Sequence, residues 1–242
     1  AGTAYMLARA ISEKLQTDSI VYSDLAMLGT IADVVDLNGE NRFIVQLGLN
    51  RFNSNPRPAW QSIRKQLNRE NIDLNEEDIA FVIAPRINAA GRLEDANFLV
   101  DFILSENIQK TNYVALKLEG LNEKRKILVR QVEQTCEKKI ANNPELINNP
   151  ILILEGNNWP AGVLGLSANA LVEKYKRPVI VFSKNGNNFR GSGRSYGKFN
   201  LYEAIFACRD LLDHFGGHPG ATGLSMHAEQ YPKFSKRIQI SA

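Results

Sequence analysis

The chain has 242 residues, 44% hydrophobic and 23% charged. That is enough apolar material for one large domain or two small ones, and an ordinary charge content for a folded protein. A net charge of +3 permits a nucleic-acid partner without demanding one, because dedicated binders concentrate basic residues on one face. Cys136 and Cys208 are far apart and form no Cys-x-x-Cys pair, which argues against a zinc ribbon or a disulfide framework. Each is expected as a small apolar residue on a helix face. No apolar run approaches the ~20 residues of a membrane span, and no charged-then-apolar leader opens the sequence, so the expected location is cytoplasmic.

The first block runs to about residue 109 and reads as mostly helical. Ala4, Leu7, Ala8, Ile11 and Leu15 recur at helical spacing from the second or third residue, with Thr3 as a candidate cap. A chain that begins inside a helix, with no initiator Met or lead-in strand, is expected of a piece of a longer protein. Ser23-Asp24 is a second capping signal, before a helix over 25–30 that runs into Ile31 to Val35. Asn38-Gly39 signals a turn, and 41–50 and 60–67 read as further helices. Asn75 to Asp78 opens another, with Ile79, Phe81, Val82 and Ile83 expected on its buried side. So few strands suggest one flank of an α/β domain whose sheet lies elsewhere.

Residues 110–143 read as one long helix. Val114, Leu118, Leu121, Val132 and Cys136 belong to its apolar stripe, and Lys124, Arg125, Lys126, Arg130, Lys138 and Lys139 to a basic one. About 30 residues span about 45 Å, enough to link two bodies. From residue 144 onward the pattern changes to strands over 151–154, 179–182, 189–195 and 221–226, and helices over 162–175 and 201–214. That alternation predicts a small α/β domain.

Four segments carry candidate chemistry. Asp33 sits in the apolar stretch LGTIADVVDL, where a carboxylate needs a partner; a divalent cation, an arginine or a helix N-terminus would each serve. In PRINAAGRL, Arg86 and Arg92 flank the small run from Asn88 to Gly91. Arginine forks match phosphate oxygens, although an arginine–carboxylate pair explains either residue as well. In FRGSGRS, strand alternation places Arg190, Ser192 and Arg194 on one face, a cradle for a terminal phosphate. In FGGHPGATG, Gly216-Gly217 is expected to end the preceding helix and expose backbone N–H groups, with His218 projecting from a tight turn. His214 and His218 make a poor zinc pair because glycines lie between them. The set contains no nucleophile beside a base, and it favours metal-assisted phosphoester hydrolysis over covalent catalysis.

These four segments, in this order, resemble the RecJ family of the DHH phosphoesterase superfamily over essentially the whole chain. The helix carrying LNEKRK, residues 121–126, is also similar to that family's connector. The resemblance implies an α/β fold: a mostly helical remnant of a DHH domain (1–109), a long connector helix (110–143) and a small α/β DHH-associated, substrate-binding domain (144–242). It implies a two-metal site holding Mn²⁺ or Mg²⁺ that hydrolyses single-stranded DNA from the 5′ end to mononucleotides, in DNA repair and recombination. On this sequence Asp33 takes the place of a metal ligand. Arg86 and Asn88 lie near the scissile phosphate, Ser192 and Arg194 in the pocket for the 5′-terminal phosphate, and His218 opposite the metals. Arg92, Arg190, Gly216 and Gly217 join the phosphate-binding set. The implied partners are single-stranded DNA, a single-strand-binding protein and a helicase, and no membrane. The family's other metal ligands, including its Asp-His-His triplet, have no counterpart here, and Asp36 replaces its usual proline. The chain alone is therefore expected to hydrolyse little. A non-catalytic strand-binding module and a phosphoesterase acting on short oligonucleotides are the alternatives.

Overall fold

The computed structural model describes residues 1–240. The chain forms two compact units, Ala1–Glu123 and Lys124–Ala242, and the division falls inside the long helix.

The first unit is helical: α1 (Gly2–Leu15), α2 (Ser23–Ala32), α3 (Gly39–Ser54), α4 (Pro58–Gln66), α5 (Glu76–Asp78), α6 (Ala84–Leu93), α7 (Phe98–Leu104) and the start of α8 (Ile108–Asn142). Between α5 and α6 a π-helical segment, Ile79–Ile83, keeps the chain helical from 76 to 93. The N–H of Ala84 donates to the carbonyl of Ile79, five residues back. The wide turn accommodates Pro85, which lacks an N–H to continue a regular α-helix. Met27, Phe52, Trp60, Ile63, Ile79, Ile83 and Leu118 form the core, with Phe52 stacked on Trp60 at 5.5 Å between ring centroids.

Two buried ions organise this core. Asp24, its side chain 1% exposed, accepts from Arg57 Nε at 2.6 Å and Trp60 Nε1 at 2.7 Å through one oxygen. Its other oxygen accepts from Arg57 Nη2 and the Leu25 N–H, both at 2.9 Å. It is therefore a structural anion within α2, and not the expected cap. Buried Arg64 is met by carbonyl oxygens: it donates to those of Phe52, Arg69, Glu70 and Ile72 and so pins the turn after α4 to α3.

Two apolar stripes differ from expectation. On α1 the buried residues are Tyr5 and Ser12, while Leu7, Ile11 and Leu15 are 63%, 50% and 65% exposed. The helix packs on α2 through Tyr5 and Ala26, and no described residue covers its opposite side. Phe81 is likewise exposed, because a residue two positions from both Ile79 and Ile83 lies on the opposite side of the helix.

The second unit is a five-stranded sheet in the order β1-β2-β3-β5-β4, with β1 (Leu152–Asn157), β2 (Val179–Asn185), β3 (Asn188–Arg194), β4 (His214–His218) and β5 (Ala221–His227). β1 and β2 are parallel, joined through α9 (Ala161–Tyr175), and the other pairs are antiparallel. The expected helix over 201–214 is shorter: α10 (Leu201–Phe206) and a 3-10 turn (Arg209–Leu211) precede β4. One sheet face packs on α10 and α11 (Tyr231–Ile240) through Ile180, Phe182, Phe189, Leu224, Met226, Leu201 and Phe234. Tyr231 lies flat on Phe189 at 4.3 Å. The other face is covered by α9 over β2 and β3.

Removing the buried Asp24 carboxylate leaves Arg57 and the Trp60 N–H without their acceptor. Asp24→Ala is expected to destabilise the protein by about 3 kcal/mol, read as a lower urea midpoint.

Candidate nucleic-acid interface

The site follows from the register of three strands. Residues directly opposed across an antiparallel ladder share a face, as do residues two apart along a strand. Arg190 is opposite Ser225, which is opposite His214; Ser192, Gly223 and Gly216 form the next row; Arg194, Ala221 and His218 form the third. These nine residues make a three-by-three grid on the face opposite α10 and α11, with rows about 7 Å and strands about 5 Å apart. Arginines and histidines occupy the corners, and the centre carries no side chain. Gly217, opposite Thr222, falls on the other face.

Each corner has a local cause. The Arg194 guanidinium donates to Ser192 Oγ at 3.3 Å and to the Gly193 carbonyl at 2.8 Å. Gly165 of α9 leaves space for it: a Cβ there would stand 2.7 Å from Arg194 Nη2 and 3.0 Å from Ser192 Oγ. Burial pushes the Arg194 pKa down, and no carboxylate pairs with it among the described residues. A half-buried cation beside a hydroxyl and without a counter-ion is suited to receive an anion. Arg190 is exposed.

His218 ends β4 before the two-residue Pro219-Gly220 turn. Its Nδ1 accepts from the Gly220 N–H at 3.2 Å, so the neutral ring carries its proton on the outward Nε2. Gly216 and Gly217 therefore lie in a strand, not at a helix end. Edge strand β4 is anchored by Phe215, whose ring packs on Tyr202 and Phe206 at 5.9 and 6.1 Å. Gly217 has φ +149°, and a Cβ on it would collide with the Ala221 carbonyl oxygen. Gly216 and Gly223 face open space: a Cβ would meet nothing within 4 Å at Gly216, and only the Gly216 oxygen at 4.0 Å at Gly223. The sequence pattern missed His214, Ser225 and Gly223 as members of the site. Reading H-F-G-G-H as an alternating strand would have found His214.

The remaining candidates lie in the first unit. Asp33 follows α2 and is exposed, with Val34 beyond it at φ +56°. The burial expected of it from its apolar neighbours is absent, because the chain leaves the helix there. Arg86 is bidentate on Glu119, at 2.6 and 3.2 Å, and donates to the Val82 carbonyl at 2.7 Å. It is thus the arginine–carboxylate pair that was the alternative to phosphate binding. Asn88 is exposed and Arg92 half-buried, both on α6. PRINAAGRL is helix throughout.

A hard divalent cation takes about six oxygen ligands. The described residues contain no group of three or more His, Cys, Asp or Glu able to hold one, so Asp33 does not make a metal centre with its described neighbours. Cys136 and Cys208 are buried and free. Burial drives the Cys136 thiol up to about 12 and raises that of Cys208, which leaves both protonated and inert at neutral pH.

Residues 148–240 match the DHHA1 domain. The chain is 34% identical over 239 residues to the single-stranded-DNA-specific exonuclease RecJ of Bacillus subtilis, a match covering 98% of this chain and 30% of that protein. It is 32% identical to the RecJ of Thermus thermophilus over 100% of this chain and 35% of that one. Over almost its whole length the chain is similar to RecJ proteins, and its C-terminal part matches the DHHA1 domain. The crystal structure of RecJ from Thermus thermophilus in complex with Mn²⁺ superposes with a TM-score of 0.83 at 30% identity, covering 96% of this chain and 34% of that chain. The complex with Mg²⁺ gives 0.82 at 28% identity, over 96% and 36%. The chain spans about a third of the length of the relatives it matches. Among the described residues no helix is long and apolar enough to cross a membrane.

Gly217→Ala is expected to cost about 2 kcal/mol, whereas Gly216→Ala leaves the thermal midpoint within a degree or two of the parent, as differential scanning calorimetry would record. Thiol titration at pH 8 should find neither cysteine in the folded protein and both after denaturation; rapid labelling of Cys136 in the native state would contradict its burial.

Proposed function

We propose that this chain is the strand-guiding part of a RecJ-type exonuclease, and that the grid on β3, β5 and β4 holds the 5′ end of single-stranded DNA. The observation that carries this reading is the uncompensated cation–hydroxyl pair, Arg194 and Ser192, with His218 in the same row as Arg194 beyond the small Ala221. Arg194 and Ser192 bind the 5′-terminal phosphate. His218 stands two strands away, about 10 Å by strand spacing, where the next phosphate along the strand would lie. That separation suits release of one nucleotide at a time.

In this reading residues 1–109 belong to a DHH-type domain, 110–143 form the connector and 144–242 the substrate-binding domain. Asp33 is a metal ligand, and Asn88 and Arg86 lie near the scissile phosphate. The Glu119 clamp fixes one edge of the Arg86 guanidinium. Hydrolysis from the 5′ end to mononucleotides, dependent on Mn²⁺ or Mg²⁺, belongs to the whole protein, which we place in the cytoplasm with a single-strand-binding protein and a helicase as partners. The lone candidate ligand among the described residues favours a second reading for the chain by itself: a module that binds the strand and does not cut it.

The test is binding of a 5′-phosphorylated single-stranded oligonucleotide against its 5′-hydroxyl form, followed by fluorescence anisotropy. The phosphorylated strand should bind more tightly. Arg194→Ala should remove about ten- to hundredfold of that affinity and lower the salt slope by about one. Equal binding of the two strands, unaffected by Arg194→Ala, would refute the assignment.

A further inference from the structure

Gly216 and Gly223 face each other across β4 and β5, in mid-strand and without positive φ, and each would accept a Cβ without a clash. Glycine weakens a strand, and here neither packing nor backbone conformation requires it. A pocket of about 270 Å³ lies over this pair. Arg190, His214 and Ser225 line one side of it; Ser192 and Arg194 do not line it. The Arg190 side chain makes no ion pair among the described residues, and His214 is exposed.

We infer that this pocket receives the nucleobase of the 5′-terminal nucleotide, lying flat on the Gly216–Gly223 backbone with its polar edge toward Arg190, Ser225 and His214. The inference rests on the strand-binding reading and adds a base subsite to it. If Ser192 and Arg194 hold the first phosphate and His218 lies near the second, the nucleoside between them lies over Ala221 and Gly223, and its base reaches the adjoining pocket beside Gly223. A flat floor without Cβ atoms suits a planar ring. A guanidinium, a hydroxyl and an imidazole can together meet donors or acceptors on any base edge, so the subsite tolerates all four bases. Arg190 thus belongs with the base, separate from the terminal-phosphate cradle.

The test compares two 5′-phosphorylated oligonucleotides that differ only in whether the first nucleotide carries a base or is abasic. The parent chain should prefer the base-bearing strand on the order of tenfold. Arg190→Ala and His214→Ala should each reduce that preference, weakening the base-bearing strand severalfold more than the abasic one. Gly223→Val, which fills the floor, should abolish the preference with an unaltered circular-dichroism melt. Equal binding of the two strands by the parent, with 5′-phosphate dependence intact, would overturn the base subsite and leave the strand-binding reading standing. Arg190→Ala weakening both strands equally would make Arg190 a backbone-phosphate contact and also overturn it. Failure of the parent to bind either strand would overturn both.

Discussion

The pleat of three strands governs the second unit. Along β3, β5 and β4, every other residue is held on the α10–α11 face: Phe189, Leu224, Met226 and Phe215. The intervening residues, among them Arg190, Ser192, Arg194, His214 and His218, are thereby forced onto the opposite face. A slip of one residue in any ladder would bury the cations and expose the aromatics. The stacked Phe189–Tyr231 pair and the T-shaped contacts of Phe182 with Phe189 and Phe234 therefore fix the polar face from the far side of the sheet.

The polar face is open because glycine occupies its centre, and β4 supplies the edge. Edge strands invite unwanted pairing. This one is short, is tied down through Phe215, and turns back at Pro219-Gly220. Gly217 serves the backbone and Gly216 leaves space, so two adjacent glycines have unrelated jobs. In the first unit the equivalent organising element is buried charge. Asp24 and Arg64 each satisfy several groups from separate helices and turns, whereas Arg86 is held by Glu119 on the outer side of the same core.

Much of this was legible in the residues. Arg190, Ser192 and Arg194 alternate with glycines, and a strand was the natural consequence. The parallel β1–β2 unit and the long helix followed from periodicity and from flanking prolines and asparagines. His-Phe-Gly-Gly-His was hidden because two glycines and a proline look like a helix stop, and only the partner strand β5 makes them a ladder. The register then brought in His214, Ser225 and Gly223, which no local pattern distinguishes. The exposed stripe of α1 and the exposed Asp33 misled for one reason: apolar spacing reports that a face is fit for burial, not what stands against it. Phe81 was grouped with Ile79 and Ile83 on apolar character alone, although an offset of two residues points it to the opposite side of a helix.

The central claim is that Arg190 and Arg194 share one strand-binding face. Arginine-selective covalent labelling, read by mass spectrometry with and without a 5′-phosphorylated single-stranded oligonucleotide, tests it most directly. The account predicts joint protection of Arg190 and Arg194, with Arg209, beyond α10, labelled as before. Unchanged reactivity at both grid arginines, with protection moving instead to the basic residues of α8, would place the strand elsewhere and contradict it.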